Sequence, residues 1–281
     1  MTNAIGTTDE ATGKPQRGIQ ALDASAQLIG ALLRTGGPLA LSELARGAGM
    51  VPAKAFPHLV SLVRAGLLER DADGRFLPGP LALQLGLIAL QRLSPVREAE
   101  PEVRGLAVDT GLSVAMAVLG PLGPTVVRLE ESARPQHVSL RVGTVLSLVN
   151  TAIGRVFAAH LPEDVLGGML QQEAVRMAGA SAKDSAAGKS AYAARLARIR
   201  AQGIDDARDM PVPGIHTLAV PVFDHTGTVV LVLAAMGTAG SFDSGHDGNV
   251  ARQLAGAAQR LSWRFGRPAH QDGDRHIEAS T

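Results

Sequence analysis

The side chains best placed for chemistry in this chain gather between Ser42 and Arg75. Projected at about 100° per residue, residues 52–64 put Ala53, Lys54, Pro57, Ser61 and Arg64 on one side of a helix. Ala55, Leu59, Leu62 and Val63 fall on the other. A lysine and a serine on such an open face can touch base edges or phosphates, and Arg64, Arg70 and Arg75 suit phosphate. The plainer alternative for Lys54 is a solvated surface lysine. His58 lies on the flank of the apolar side, where a packing role is the simpler reading. Ser42 stands at the head of the preceding helix, in reach of the same partner.

Enzymatic chemistry finds no such gathering. Gly111-Leu112-Ser113 and Gly240-Ser241 do not complete a nucleophile elbow. His216 and His225 are nine residues apart across an expected strand, not at the i, i+4 helical spacing of a zinc pair. Asp224 and Gly227 read as turn residues, and no loop matches a phosphate cradle. Cysteine is absent, which removes disulfides, thiolate catalysis and cysteine-bound zinc. No catalytic residue, cofactor or metal site is expected.

The elements that would hold these residues can be read in order. Ile19, Leu22, Ala26, Ile29 and Leu33 repeat at spacings of three and four and imply a helix with that face buried. Gly36, Gly37 and Pro38 stop it. Ser42 is expected to cap the second helix, with Glu43 set against its dipole. Gly49 makes the turn, Pro52 suits the first turn of a third helix, and Gly66 ends it. Leu67–Arg70 and Arg75–Leu77 then flank Asp73-Gly74, a hairpin signal. Three helices followed by a short hairpin make a winged helix-turn-helix, a device that sets one helix in the major groove of DNA.

Beyond Pro78-Gly79-Pro80, a leucine-rich helix (Leu81, Leu83, Leu85, Leu87, Leu90) is too apolar to stay in water and should pack between subunits or domains. Helices are expected at 95–109, 151–160, from 162, at 191–202 and at 243–264. Strands are expected at 113–119, 125–130, 137–142, 217–223 and 229–236, and 178–187 reads as a loose loop. Strands joined by short turns and mixed with helices favour an α+β domain with an antiparallel sheet. The boundaries expected are a disordered arm at 1–16, the winged unit at 17–79, a linker helix at 80–94, a sensor domain at 95–266 and a polar tail at 267–281. A net charge of +1 excludes a polyanion-coating protein but not a specific DNA reader whose positive charge is local. No apolar run reaches the roughly 18 residues of a membrane span, so a cytoplasmic protein with no membrane partner is expected.

Read in order, Leu41-Ser42-Glu43-Leu44-Ala45, the run from Val63 to Asp71, and the run from Gly74 to Pro80 resemble the isocitrate lyase regulator (IclR) family of bacterial transcription factors. Thr151-Ala152-Ile153-Gly154-Arg155 and the run from Gly214 to Asp224 continue the resemblance. It implies a winged helix-turn-helix, a linker helix and a GAF-like effector-binding domain. It also implies dimers, or dimers of dimers, on palindromic double-stranded DNA. By matching position it places Ile153, Gly154, Ala207, Thr217, Ala234 and Met236 around a small-molecule effector, an organic or aromatic acid. Gly154 would allow close approach of a ligand or, equally, tight helix packing. Some relatives carry hydroxyl side chains at the positions of Ala234 and Met236, so this effector should be larger or less polar than a two-carbon acid.

One residue departs from the family pattern. Relatives commonly place an arginine where this chain has Pro57. A proline there implies a recognition helix that is kinked near Ala53 or begins late, and loses the arginine's contact. The expectation is a ligand-responsive regulator of a neighbouring catabolic operon. The alternative is a small-molecule-binding module whose DNA binding Pro57 has weakened.

Overall fold

The computed structural model of the chain describes residues 19–132, 140–176 and 186–267, so the expected arm and nearly all of the tail lie outside it. The chain divides into two compact units after Arg92, which groups the leucine-rich helix with the winged unit.

The first unit is built on three helices, α1 (Gln20–Thr35), α2 (Leu41–Gly47) and α3 (Pro52–Arg64). Helix α1 turns a different face inward from the one expected. It buries Ser25, Leu28, Ala31 and Leu32, whereas Leu22 and Leu33 stay about two-thirds exposed and Ala26 is exposed. The helix carries two apolar stripes, and packing on Leu44, Ala45, Leu59 and Leu62 selects the second. Ser25 is tolerated inside because its hydroxyl donates to the Ala21 carbonyl at 2.9 Å and lies 3.2 Å from Nδ1 of His58.

Helix α2 is capped by Glu43, not by Ser42. Ala40 is the residue before the helix, and its N–H donates to Oε2 of Glu43 at 2.8 Å. Ser42 is two positions too late to cap and faces solvent. Strands β1 (Leu68–Arg70) and β2 (Phe76–Pro78) pair antiparallel, and Leu39 exchanges two backbone bonds with Phe76 to add a third short edge. The Asp71 carboxylate accepts from the N–H groups of Asp73 and Arg75, while Gly74 takes the left-handed conformation that tightens the tip. Helix α4 (Pro80–Arg92) buries none of its residues within the chain.

The second unit runs α5 (Pro95–Thr110), β3 (Ser113–Gly120), β4 (Gly123–Glu130), α6 (Ala152–His160), α7 (Glu163–Arg176), α8 (Ala186–Gln202), β5 (Asp205–Arg208), β6 (Ile215–Phe223), β7 (Val229–Thr238) and α9 (Asn249–Arg264). One sheet ordered β4-β3-β7-β6-β5, antiparallel throughout, separates two cores. Alternation along β7 shows how: Leu231, Leu233 and Ala235 meet α5 and α9, and Val232, Ala234 and Met236 meet α6 and α8. The free side of β4 is closed by residues 143–146, whose backbone bonds to Pro124 and Val126.

Four differences from the expected elements stand here. Strand β5 was not expected at all. Residues 140–142, the described part of the run 137–142, are not strand, and residues 133–139 lie outside the described residues. Helix α9 starts at Asn249 rather than Asp243 because residues 243–248 form a loop in which the Asp243 carboxylate takes the Gly245 N–H. Of the expected loop at 178–187, residues 178–185 lie outside the described residues and Ala186 already begins α8.

Candidate nucleic-acid interface and effector site

Helix α3 is continuous from Pro52 to Arg64 with Pro57 in its interior, so the helix does not begin late. Proline has no N–H to donate, which leaves the Ala53 carbonyl without its usual helical partner. The helix survives because Ala55, Leu59 and Leu62 are buried against α1 and α2 and packing fixes its path. The opposite face is open: Ala53, Lys54, Pro57, Ser61 and Arg64 are all exposed, as the spacing implies. The Ser61 hydroxyl turns back to donate to the Pro57 carbonyl at 3.1 Å.

The other contact candidates divide. Ser42 and Arg75 are exposed, one near the start of α2 and one at the hairpin tip. His58 is half-buried with its ring on Ser25, which is the packing arrangement. Arg70 lays its guanidinium over the Phe76 ring, 4.6 Å from the centroid, which fixes the base of the hairpin.

In the second unit, strand register gathers most of the expected effector residues. Ala207, Thr217 and Met236 are consecutive cross-strand partners on β5, β6 and β7, and Ala234 pairs with Ala219 one row away. Ile153 and Ala207 join Ala234 and Met236 in the core beneath α6, and Thr217 is half-buried beside them. With Ala115, Ala117 and Ala219 on the same face, small side chains predominate in the sheet surface under α6.

Gly154 has a specific task there. A Cβ on it would lie 1.9 Å from the Ser147 carbonyl oxygen, so what approaches it closely is the backbone of Ser147 and Leu148. Its N–H is also spoken for, donating to the Thr151 hydroxyl at 2.9 Å as that residue caps α6. The N–H groups of Ala152 and Ile153, at the start of the helix, fall outside the i→i−4 ladder.

The polar frame around this region was not anticipated. Arg155 is buried, with Nε 2.7 Å from Oδ2 of Asp205 and further bonds to the carbonyls of Val149 and Asp206. Arg195 on α8 reaches Oδ1 of the same aspartate and also donates to the Asp206 carbonyl. Asp206 in turn meets Arg208 at 3.2 Å and His246 at 3.1 Å. Residues of this network, with Arg198, Ile199, Gln202 and Ile204, line a cavity of about 110 Å³.

Near the start of α6, buried Glu173 accepts from the Ser147 hydroxyl and the Leu148 N–H. Tyr192 donates to the Leu148 carbonyl, and burial pushes its hydroxyl above the usual tyrosine range. One signal was visible: an arginine inside the otherwise apolar stretch Ala152–Ala159 must find a partner. Its partner lay fifty residues on, beyond the reach of local spacing.

Among the described residues, no group of three His, Asp or Glu side chains could hold a metal ion, and no helix is long and apolar enough to cross a membrane.

Comparison with known proteins matches both units. Residues 21–72 match the IclR helix-turn-helix domain, and residues 88–263 match the bacterial transcriptional regulator IclR C-terminal domain. HTH-type transcriptional regulator BhcR of Paracoccus denitrificans is 27% identical over 226 residues, covering 78% of each protein. Transcriptional repressor IclR of Escherichia coli is 23% identical over 220 residues, covering 77% of this chain and 78% of its own length. The crystal structure of Pseudomonas aeruginosa HmgR superposes with a TM-score of 0.77 at 31% identity, over 90% of this chain and all of that one.

Proposed function

Since the chain belongs to the IclR family, whose members are ligand-responsive, DNA-binding transcriptional regulators, we propose a division of labour between its two units. Helix α3 enters the major groove through Ala53, Lys54, Pro57 and Ser61, while Ser42, Arg64 and Arg75 contact phosphates. The observation that carries this is the two-sidedness of α3: its apolar face is committed to the core, and its other face is open beside a hairpin. A small-molecule-binding module with weakened DNA binding is the lesser reading, since Pro57 interrupts one bond of the recognition helix without ending it.

The effector sits on the α6 side of the sheet, against Ile153, Ala207, Thr217, Ala234 and Met236. It is an organic or aromatic acid. The first N–H groups of α6 can receive a carboxylate, and the small apolar wall accommodates bulk rather than further hydroxyls. Gly154 contributes by letting residues 147–148 close over the helix start.

Two copies of the chain assemble through the apolar face of α4 and the exposed stripe of α1, giving a dimer or a dimer of dimers on a palindromic operator in the cytoplasm. The neighbouring catabolic operon is the target. An effector that binds one arrangement of the dimer better than the other changes the distance between the two recognition helices, and so operator affinity. The protein is not an enzyme; BhcR and IclR, named above, are transcriptional regulators.

A mobility-shift titration of the purified full chain, on duplexes from the region flanking its own gene, tests the reading. Retardation that weakens with salt and changes on adding organic acids is expected. Indifference to every such duplex at low ionic strength would overturn it.

A further inference from the structure

Reading a guanine directly takes two hydrogen bonds from one side chain, arginine or lysine; reading an adenine takes asparagine or glutamine. The first two turns of a recognition helix are where such side chains belong. In α3 those turns expose Pro52, Ala53, Lys54, Phe56 and Pro57, with Ser61 following in the third turn. None of these is arginine, asparagine or glutamine; Lys54 alone can donate to a guanine edge, through a compact ammonium rather than a planar fork, and the Ser61 hydroxyl hydrogen is donated to the Pro57 carbonyl.

What the helix does present is apolar. Phe56 is 46% exposed, and the residue preceding α3, Val51, is 65% exposed. Together with Ala53 and Pro57 they form an apolar surface around the helix start, with Lys54 the one charge among these positions. The cations Arg64 and Arg75 lie outside these two turns.

Within the major groove the one apolar group that distinguishes a base pair is the C5-methyl of thymine. We propose that α3 recognises its half-site through thymine methyl groups, seated against Ala53, Phe56 and Pro57, rather than through bidentate bonds to purines. This rests on the DNA-reading function above and names the base class that function uses. Pro57 is then a specificity residue: in place of a donor it offers a rigid hydrocarbon surface that rewards a methyl and gives a guanine edge nothing.

The test starts from duplexes selected by the full-length protein from a random library. In the bound duplexes each half-site thymine is replaced by deoxyuridine, which removes the methyl and keeps every hydrogen-bonding group. Each replacement opposite the first two turns of α3 should weaken binding about fourfold, the worth of one buried carbon. Replacing cytosine by 5-methylcytosine next to those positions should tighten it. Pro57→Arg, at an exposed position, should fold as well as the parent by circular dichroism, select guanine in place of thymine, and lose most of the sensitivity to deoxyuridine.

Selected half-sites that carry guanine there, or affinities unmoved by methyl removal, would overturn the inference while leaving the regulator intact. Failure to enrich any sequence would overturn the DNA-reading function and the inference together.

Discussion

Arg155 on α6 and Asp205 on β5 stand 2.7 Å apart, Nε to Oδ2, and both side chains are buried. This pair ties the helix that roofs the proposed effector chamber to the last strand of the sheet. Removing Arg155 strips buried Asp205 of one of its two arginine partners and leaves Arg195 alone on the carboxylate. Arg155→Met should therefore destabilise the protein by about 3 kcal/mol, the low end for breaking a buried pair. The double variant Arg155→Met with Asp205→Leu should recover much of that loss. Urea denaturation of the three proteins measures both effects, and equal destabilisation of the single and double variants would refute the account.

Two glycines separate packing from conformational freedom. Gly154→Ala drives a Cβ against the Ser147 carbonyl oxygen, so it should cost at least about 1–3 kcal/mol, the usual penalty for overpacking. Gly86→Ala, in the exposed middle of α4 with open space around it, should instead stabilise by roughly 1 kcal/mol through helix propensity. Thermal melts of the two variants should move in opposite directions.

His160 gives the fold a defined sensitivity to acid. Burial lowers its pKa below the ordinary histidine value, and the nearby Arg200 and Arg267 push the same way, against the Val156 carbonyl. The unfolded chain then binds this proton more readily than the folded one. Stability is unaffected by this group above about pH 6.5 and falls as pH drops from there through the folded value. His160→Gln should flatten that part of the stability profile, which equilibrium unfolding at a series of pH values would reveal. An unchanged slope would count against it.

Helix α4 offers a test of assembly without damage to either core. Leu83 and Leu87 are 63% and 50% exposed within one chain, so Leu83→Glu with Leu87→Glu should leave the helical content by circular dichroism unchanged. Sedimentation should show a shift toward monomer. Operator affinity should fall on the order of a hundredfold, because the two half-sites are no longer met by linked heads. A variant that remains dimeric would remove α4 from the interface.

Salt dependence distinguishes phosphate contacts from base contacts. Arg64→Ala should lower the slope of log affinity against log salt by about 0.9 for each copy bound and weaken all sequences alike. The same measurement on Lys54→Ala reports whether Lys54 reaches phosphate or a base edge: only a base contact would alter sequence preference.

Much of the winged unit was legible because its signals are local. Glycine and proline punctuate it, and the hairpin tip at Asp73-Gly74 and the two faces of α3 emerged as the spacing implies. Helix α1 was misread because two apolar stripes compete on it, and only the partner helices decide between them. Strand β5 was missed because Asp-Asp-Ala-Arg has no β-forming composition; it is held in place by β6 and by guanidinium groups from α6 and α8. The proposed effector positions on β5, β6 and β7 come together through cross-strand register, which a linear pattern does not display. The clash that gives Gly154 its role involves a carbonyl seven residues earlier in a loop of no regular structure.

The treatment of β5 has one more consequence. It is the terminal strand of its sheet, and the Asp206 carbonyl is engaged by Arg155 and Arg195, with Asp206 and Arg208 adding charge alongside. A strand end dressed in this way presents a poor template for a foreign β-strand, so the sheet is guarded against stacking edge to edge into aggregates. The same arginines that brace α6 and α8 against β5 thereby also blunt its open edge.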